Sequence, residues 1–600
     1  MTIRSASLLV ALAATVALAA CDREPEAAPA EPTAPSASAT GDHEFQPAIT
    51  ADDFSRMVQV LASDEFEGRA PGSPGGEKTV EYIRDQFERI GLQPGIDGQW
   101  FQTVPMVATT ADESTVLVIQ PDEGESRELA FGEDMVVNTR SGQTSVKVED
   151  SELVFVGYGV NSPEQDWNDY EGLDVKGKTV VILVNDPGFH AGDEALFEGN
   201  RMTYYGRWTY KFEEAARQGA EAALVIHDTP GASYGWDVVR NSWSGPQFDL
   251  RPEDDPEARL PAQGWISADA ARELFANAGL DLEAMYEAAG KRGFEPVPLD
   301  ATVSFDLAST IEEQSSRNVV GVLPGSEAAD EAVVYMAHWD HLGKHEGDGD
   351  QIYNGAVDNA TGVAGVLEIA GAFAAQEPPP RRSLVFVAVT LEESGLLGSK
   401  YYVAHPAVPL AKTVAVINLD AMNVSGESRD MVVVGKGNSE LEDILQAVAT
   451  EQQRTLVEES NPAGGYYFRS DHFNFAKAGV PALYAEGGED LVEGGAAAGK
   501  AAGEDYNAKR YHKPDDEFSA DWDLGGVIQD LEALYAVGRQ IAGSDQWPQW
   551  REGNPFRAAR EASLADAEKA GVNEPADGEG ADPAEAAAGA SSDEARTGVQ

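Results

Sequence analysis

The sequence has 600 residues, of which 42% are hydrophobic and 10 are tryptophan, as expected for a folded protein of at least two domains. It has 43 basic and 103 acidic residues, which gives a formal net charge of −60. This charge opposes binding to nucleic acid or to an anionic membrane surface, so we expect no nucleic-acid partner and a well solvated acidic surface.

The amino terminus is predicted to be an export signal. Arg4 is followed by the apolar run LLVALAATVALAA at residues 8–20, which is too short for a membrane span. The run ends in Leu-Ala-Ala-Cys, which resembles a bacterial lipobox, so Cys21 is the predicted lipidation site. Lipidated Cys21 would anchor the exported protein to a membrane, facing the periplasm or the cell exterior. A plain secretory signal with an incidental cysteine is the alternative. Cys21 is the chain's only cysteine, so no intramolecular disulfide is possible.

Composition and hydrophobic periodicity predict six consecutive segments. Two helices are predicted where the folded sequence begins, because apolar residues repeat at helical spacing from Phe54 and again from Val80. The predicted segments are a signal peptide (1–21), a disordered linker rich in Pro, Ala and Glu (22–47), the N-terminal part of the main domain (48–130), an inserted β-rich domain (131–305), the rest of the main domain (306–550) and an acidic disordered tail (551–600).

From Asn318 onwards, short apolar strands alternate with helical patterns. Examples are AVVYMAH, SLVFVAVT and TVAVINLD, separated by a predicted helix at about 359–375. This alternation predicts an α/β fold with a mostly parallel mixed sheet flanked by helices.

Polar residues follow several of these predicted strands where each strand ends. They are His338 and Asp340, then the pair Glu392 and Glu393, and then Asp420, while Asp358 begins a helix and His512 comes late in the chain. Carboxyl ends of strands collect functional groups in open α/β sheets, and ligands without cysteine favour a nitrogen- and oxygen-rich divalent metal site. The alternative is that single acids merely cap helices, as Asp358 and Ser394 could. If one carboxylate bridges two metal ions, one of the adjacent glutamates can bind metal while the other accepts a proton from water. The spacing of the residues does not decide which of the two glutamates has which role.

In order, these motifs resemble metallopeptidase family 28, which includes aminopeptidase Y and secreted bacterial zinc aminopeptidases. The resemblance rests on HWDHLG at 338–343, NGAVDNATGVAGVLE at 354–368, EESGLLGS at 392–399, NLDAM at 418–422, SDHFNFAKAGVPAL at 470–483 and YHKPDD at 511–516. The segment LASDEFEGRAPG also looks like the family's opening, and GYGV at 157–160 with DVKGKTVVIL at 174–183 resembles a protease-associated domain. A long Gly- and Ala-rich stretch between 486 and 511 departs from the family and leaves side-chain preference open.

The resemblance implies a role for each site residue and a cofactor of two Zn²⁺ per chain. His338 and Asp420 would bind one zinc, Glu393 and His512 the other, and Asp358 would bridge them. Glu392 would be the general base, and Asp340 would orient His338. Asp471, His472 and His341 receive no metal-binding role.

The implied function is an aminopeptidase that removes N-terminal residues from peptides. The family also contains carboxypeptidases, dipeptidases and glutaminyl cyclases, and a non-catalytic surface protein that binds peptides is a further alternative.

Overall fold

The computed structural model describes residues 43–193, 195–255 and 257–569. The predicted signal peptide, with Cys21, and most of the predicted linker and tail therefore lie outside the described residues. Within the ranges given above, no helix is both long enough and apolar enough to cross a membrane.

The described chain alternates helices and strands, as predicted for an α/β protein. The helices are α1 (Ala51–Leu61), α2 (Pro74–Ile90), α3 (Pro187–Ala191), α4 (Trp208–Gln218), α5 (Thr229–Ala232), α6 (Trp236–Trp243), α7 (Ala268–Asn277), α8 (Leu282–Ala289), α9 (Thr361–Ala374), α10 (Leu397–Ala404), α11 (Leu441–Glu451), α12 (His472–Lys477), α13 (Gly495–Lys509), α14 (Gly525–Ala542) and α15 (Arg557–Lys569). The strands are β1 (Gln93–Pro94), β2 (Phe101–Ala111), β3 (Val116–Pro121), β4 (Arg127–Ala130), β5 (Met135–Asn138), β6 (Ser145–Phe155), β7 (Asn161–Ser162), β8 (Trp167–Asn168), β9 (Lys178–Leu183), β10 (Ala222–Ile226), β11 (Gln247–Leu250), β12 (Ala262–Ile266), β13 (Val297–Leu323), β14 (Ala328–His338), β15 (Gly343–Lys344), β16 (Ile352–Tyr353), β17 (Arg382–Val389), β18 (Thr413–Asn418), β19 (Asp430–Val433), β20 (Thr455–Glu458) and β21 (Ala482–Gly487).

The first sheet has a parallel centre, in the order β17, β14, β18 and β21. Antiparallel strands flank this centre, with β13 beside β17 and β19 beside β21. Strands β14 and β17 are buried along most or all of their length, because helices such as α9 and α14 cover the sheet. The mostly parallel mixed sheet flanked by helices is the predicted fold class.

A second sheet is built mainly from residues of the β-rich block. Its strands β6, β9, β10 and β12 run parallel. Strand β5 pairs antiparallel with β12 on one side, and on the other side β13 pairs antiparallel with both β6 and β3. The long strand β13 takes part in both sheets, because its first half pairs with β3 and β6 and its last residues pair with β17. Strands β3 and β4 belong to this second sheet, whereas the sequence analysis assigned residues 48–130 to the main domain. Alternating apolar residues predict a strand but do not say which sheet it joins.

Helix α1 packs through an apolar face against α9, one of the helices that cover the first sheet. Thr50 caps it by accepting a hydrogen bond from the Asp53 amide at 3.2 Å, and Phe54, Met57 and Val58 are buried. The chain just before it is also anchored, since the Gln46 amide donates to Asp53 at 2.6 Å. The prediction of a disordered linker is therefore wrong for residues 43–47.

The prediction of a disordered tail is likewise wrong for residues 551–569. These residues include α15, whose Arg560 is 2% exposed and donates hydrogen bonds to the carbonyls of Leu410 and Thr413 at 2.9 Å. Phe556 is buried beside Trp550. Arg560 and Phe556 thus anchor α15 and the residue before it, and a composition average over the whole segment does not reveal single buried residues of this kind.

Candidate metal centre

Three of the predicted site positions lie at the carboxyl ends of three parallel strands. His338 is the last residue of β14, and its register partner on β17 is Val389, three residues before Glu392. Strand β18 ends at Asn418, opposite Met336 of β14, and Asp420 follows two residues later. Because the strands are parallel neighbours, the side chains after their ends collect at one edge of the sheet.

Asp358 and His512 reach the same edge from loops. Asp358 lies in the turn that leads into α9. Asp516 holds this turn: the Val357 amide donates to its Oδ1 and the amide of Asp358 itself donates to its Oδ2, each at 3.1 Å. His512 follows α13 and has a left-handed backbone with φ of 55°. The sequence analysis gave Asp516 no role, although it lies within the quoted YHKPDD motif.

The two oxygens of Asp358 face two different histidines. Asp358 Oδ1 lies 3.3 Å from His338 Nε2, and Asp358 Oδ2 lies 3.3 Å from His512 Nε2. On the first side Asp420 Oδ1 lies 3.2 Å from His338 Nε2, and on the second side Glu393 Oε2 lies 3.2 Å from His512 Nε2. The five residues therefore form two triads that share the Asp358 carboxylate.

The spacing and burial of these groups fit metal ions. Neighbouring ligands of a tetrahedral zinc, with bonds of about 2.0–2.1 Å, lie roughly 3.3 Å apart, which is the spacing seen in both triads. Two groups of potential ligands converge within 4.8 Å: His338 with Glu392 and Asp420, and His341 with Asp358 and Glu393. Burial lowers the pKa of His338, but Asp420 and Glu392 outweigh it and raise that pKa well above its usual value. Bound cations would compensate this buried negative charge.

His341 lies at this centre, although the sequence analysis gave it no role. Its buried Nδ1 is 2.6 Å from Glu393 Oε1, but the contact lacks hydrogen-bond geometry, and neither atom has a hydrogen-bond partner among the described residues. Two buried polar atoms left without partners are what a bound cation would satisfy. The only sequence signal was its place beside Asp340 in HWDHLG.

Glu392 and Asp340 are joined through the backbone. The Glu392 amide donates to Asp340 Oδ1 at 3.2 Å, and burial raises the pKa of Glu392 well above its usual value. The carboxylate of Asp340 lies 3.9 Å from His338 Nδ1, whereas its backbone carbonyl lies 3.1 Å from that nitrogen. In this structure the hydrogen-bond partner of His338 Nδ1 is thus the backbone oxygen of Asp340, not its carboxylate.

Ser470 supports Asp420 from the SDH motif. Its hydroxyl donates to Asp420 Oδ2 at 2.6 Å and accepts a hydrogen bond from Asn418 Nδ2 at 2.7 Å. Asp471 instead accepts from Ser399 at 2.6 Å, and burial lowers the pKa of His472 to about 3. Neither Asp471 nor His472 belongs to the two ligand groups found in the described chain.

Arg69 joins the loops that carry the ligands. It is 1% exposed and donates to the carbonyls of Trp339 at 2.8 Å, Asn354 at 2.5 Å and Gly355 at 2.8 Å, as well as to Leu61 at 2.9 Å. Trp339 follows His338, and Gly355 comes three residues before Asp358. One guanidinium from the N-terminal segment therefore sets the separation of the two loops.

Comparison with known proteins identifies the segment that contains this centre. Residues 318–536 match the model described as Peptidase family M28. Aminopeptidase YwaD of Bacillus subtilis (strain 168) is 28% identical over 170 residues, which cover 28% of this chain and 34% of that protein. Aminopeptidase NAALADL1 of Mus musculus is 33% identical over 136 residues, which cover 21% of this chain and 17% of that protein. The chain thus spans about a third or less of the length of these two curated relatives.

Among solved structures, the aminopeptidase from Aneurinibacillus sp. strain AM-1 is 21% identical, with a TM-score of 0.46 over 83% of this chain and 95% of that chain. All five residues of the two triads lie within the segment matched by the family model. The segment that carries the two triads therefore matches peptidase family M28.

Proposed function

We propose that this protein is an exported zinc aminopeptidase, which removes residues from peptides with free N-termini. The observation that carries the proposal is the Asp358 carboxylate, whose two oxygens face His338 and His512 at 3.3 Å each. The match of residues 318–536 to peptidase family M28 supports peptide-bond hydrolysis, and the curated relatives named above are aminopeptidases.

Two zinc ions would be held by the two triads, with Asp358 shared between them. His338 and Asp420 would bind one ion, and His512 and Glu393 the other. When bound, the ions would supply Lewis-acid activation of a water and of the scissile carbonyl.

Glu392 is the proposed general base. Its carboxylate converges with His338 and Asp420 within 4.8 Å, so it is close enough to reach a water at the centre. It accepts the proton of the attacking water and returns it to the leaving amine.

The block around the second sheet is proposed to be a protease-associated domain. It packs against the catalytic part through the loop before α4, where the Met202 amide donates to the Pro462 carbonyl at 3.1 Å.

Export and lipidation at Cys21 are proposed from the sequence. Expression of the full chain in a bacterial host should give a membrane-bound, lipid-labelled protein. Cys21→Ser should remove the label and release the protein to the soluble fraction. Unchanged labelling of the Cys21→Ser protein would overturn the proposal.

The enzymatic proposal is tested by digesting a peptide library with protein lacking residues 1–21, alongside metal analysis. We expect about two zinc ions per chain and stepwise loss of N-terminal residues. Cleavage of N-acetylated peptides only would point to a carboxypeptidase, and a single zinc with amine cyclisation to a glutaminyl cyclase. Zinc below one ion per chain with no hydrolysis would favour a peptide-binding protein.

A further inference from the structure

Glu486 lies at the edge of the sheet where the metal-binding residues collect. It is near the carboxyl end of β21, which runs parallel to β18 with Tyr484 opposite Asn418. Asp420 comes two residues after Asn418, and Glu486 comes two residues after Tyr484, so both acids continue from the same level of the sheet. Residues two apart in a strand share a face, and the Tyr484 hydroxyl donates to the Asp420 carbonyl at 3.3 Å. Glu486 is therefore on the side of β21 that borders the metal centre.

The carboxylate of Glu486 lacks a positively charged partner. The side chain is half-buried, and within the described ranges its carboxylate has neither a hydrogen bond nor an ion pair. Burial, and then repulsion by Asp530, Asp420 and Glu459, raise the pKa of Glu486 to about 8, and no cation of the described chain offsets these acids. A positively charged ligand would stabilise the ionised carboxylate.

The acids around Glu486 do not share this lack of a partner. Asp530 Oδ1 lies 2.7 Å from Arg454 Nη2, and Glu459 Oε1 lies 3.4 Å from Arg201 Nη1. The third acid is a proposed zinc ligand. Glu486 is thus the acid of this group whose charge is left for a ligand.

Apolar side chains lie beside Glu486. Val432 is its register partner on β19, and Val432, Tyr484 and Leu396 are partly exposed side chains that pack against one buried cluster. The Leu396 amide donates to the Glu392 carbonyl at 3.0 Å, which connects this apolar surface to the loop of the proposed general base. The methylene groups of a lysine or arginine can cover such a surface while the charged end reaches an acid.

We propose that Glu486 forms a subsite beside the metal centre that binds a positively charged side chain, so that the protein removes N-terminal Lys and Arg in preference to uncharged residues of similar size. The apolar surface favours a side chain over the α-amino group of the peptide, because the α-amino group has no methylene chain to cover it. The net charge of −60 also attracts cationic peptides. This inference names the substrate class of the proposed aminopeptidase and rests on that proposal.

The test measures kcat/KM for two pairs of tripeptides that differ mainly in the charge of the N-terminal side chain. Lys-Ala-Ala is compared with norleucine-Ala-Ala, and Arg-Ala-Ala with citrulline-Ala-Ala. We expect the wild type to favour the charged member of each pair by roughly 10- to 100-fold, the usual effect of a hydrogen bond between charged groups. Absence of this preference in the wild type would by itself overturn the proposal.

Two substitutions at Glu486 separate its charge from its size. Glu486→Gln keeps the size and removes the charge, so both kcat/KM ratios should fall close to one. Glu486→Asp keeps the charge and should retain part of the preference. An equal loss of kcat/KM for both members of each pair in Glu486→Gln would mean that Glu486 binds the α-amino group, and would overturn the subsite.

Glu427→Gln is the matched control. Glu427 lies between β18 and β19 and has an exposed side chain, so its substitution removes one negative charge away from the proposed subsite. Both ratios should stay as in the wild type. Glu486→Gln should keep or raise the melting temperature, since it removes one of several repelling acids. An equal fall of the ratios in Glu427→Gln would assign the preference to overall charge and overturn the subsite.

Calorimetry with Glu392→Gln separates the subsite from the proposed function. Tighter binding of Lys-Ala-Ala than of norleucine-Ala-Ala, lost in the Glu392→Gln, Glu486→Gln double variant, would support the subsite even if no peptide is hydrolysed. Hydrolysis of all four peptides without any charge preference would overturn the subsite and leave the peptidase proposal standing.

Discussion

Glu392 and Glu393 are adjacent in the chain, but their carboxylates enter different groups at the metal centre. Glu392 converges with His338 and Asp420, whereas Glu393 converges with His341 and Asp358. Two adjacent carboxylates at a buried strand end would repel each other in an apolar setting. This divergence places each carboxylate beside a different histidine, as the proposed division into one metal ligand and one general base needs.

Separate substitution of the two glutamates should separate catalysis from metal binding. Glu392→Gln should retain two zinc ions per chain and lose about 10²- to 10⁴-fold in kcat, because the amide cannot accept a proton. Glu393→Gln should lose zinc, since Glu393 Oε2 faces His512 at 3.2 Å. Metal analysis and kinetics on both proteins make the distinction, and full activity of Glu392→Gln would sink the mechanism.

Ser470→Ala should weaken zinc binding without removing a ligand. Loss of the hydroxyl that donates to Asp420 Oδ2 leaves this carboxylate free to turn, and such supporting contacts are typically worth 10- to 100-fold in metal affinity. Competition with a zinc-binding dye measures the change. Ser399→Ala is the matched control. It removes the hydroxyl that donates to Asp471 and should leave zinc affinity unchanged.

Arg69→Met should lower both stability and zinc affinity. The methionine leaves four buried carbonyls without their donor, which should cost about 3 kcal/mol or more in free energy of unfolding. Urea denaturation measures this loss. Arg272→Met, at an exposed site, should change stability by less than about 0.5 kcal/mol. Equal effects of the two substitutions would contradict the role given to Arg69.

Chelation should destabilise the folded protein. Removing the cations leaves the carboxylates of Asp358, Glu393 and Asp420 close together and buried. Zinc present at 100 to 1,000 times its Kd would stabilise the fold by about 3–4 kcal/mol, so the melting temperature should fall in excess chelator. Asp358→Asn, which loses the shared carboxylate, should show a much smaller response to zinc.

Glu368 should make stability depend on pH between about 4.5 and 8. Burial raises its pKa to about 8, although the Thr50 amide, which donates to it at 2.8 Å, works against the shift. Within this window the folded state keeps a proton that the unfolded chain has lost, so this residue's contribution to stability falls as pH rises.

Comparison of Glu368→Gln with the wild type isolates that contribution. The advantage of the variant in free energy of unfolding should grow from pH 5 to pH 8, by on the order of 3 kcal/mol. Exposed Glu532→Gln should show no such trend. An advantage equal at both pH values would mean that Glu368 is already ionised in the folded protein.

The sequence alone determined the α/β class and grouped several of the residues that the structure brings to one edge of the sheet. Strand ends can be read from hydrophobic runs, and parallel strands bring the residues after them to one edge, so His338, Glu392, Glu393 and Asp420 could be grouped in advance. The roles assigned to the two glutamates came from the family resemblance, because spacing does not fix which way a side chain points.

Only the tertiary structure decided which other residues reach the centre. His341 and Arg69 have no periodic pattern that marks them, and Arg69 comes from a segment about 270 residues away from Trp339, whose carbonyl it binds. Strand β13 also extends through two sheets, because it pairs with β17 in one sheet and with β6 in the other. Its own residues do not indicate these partners. Contacts of this kind depend on the packing of distant segments, and local sequence patterns do not record that packing.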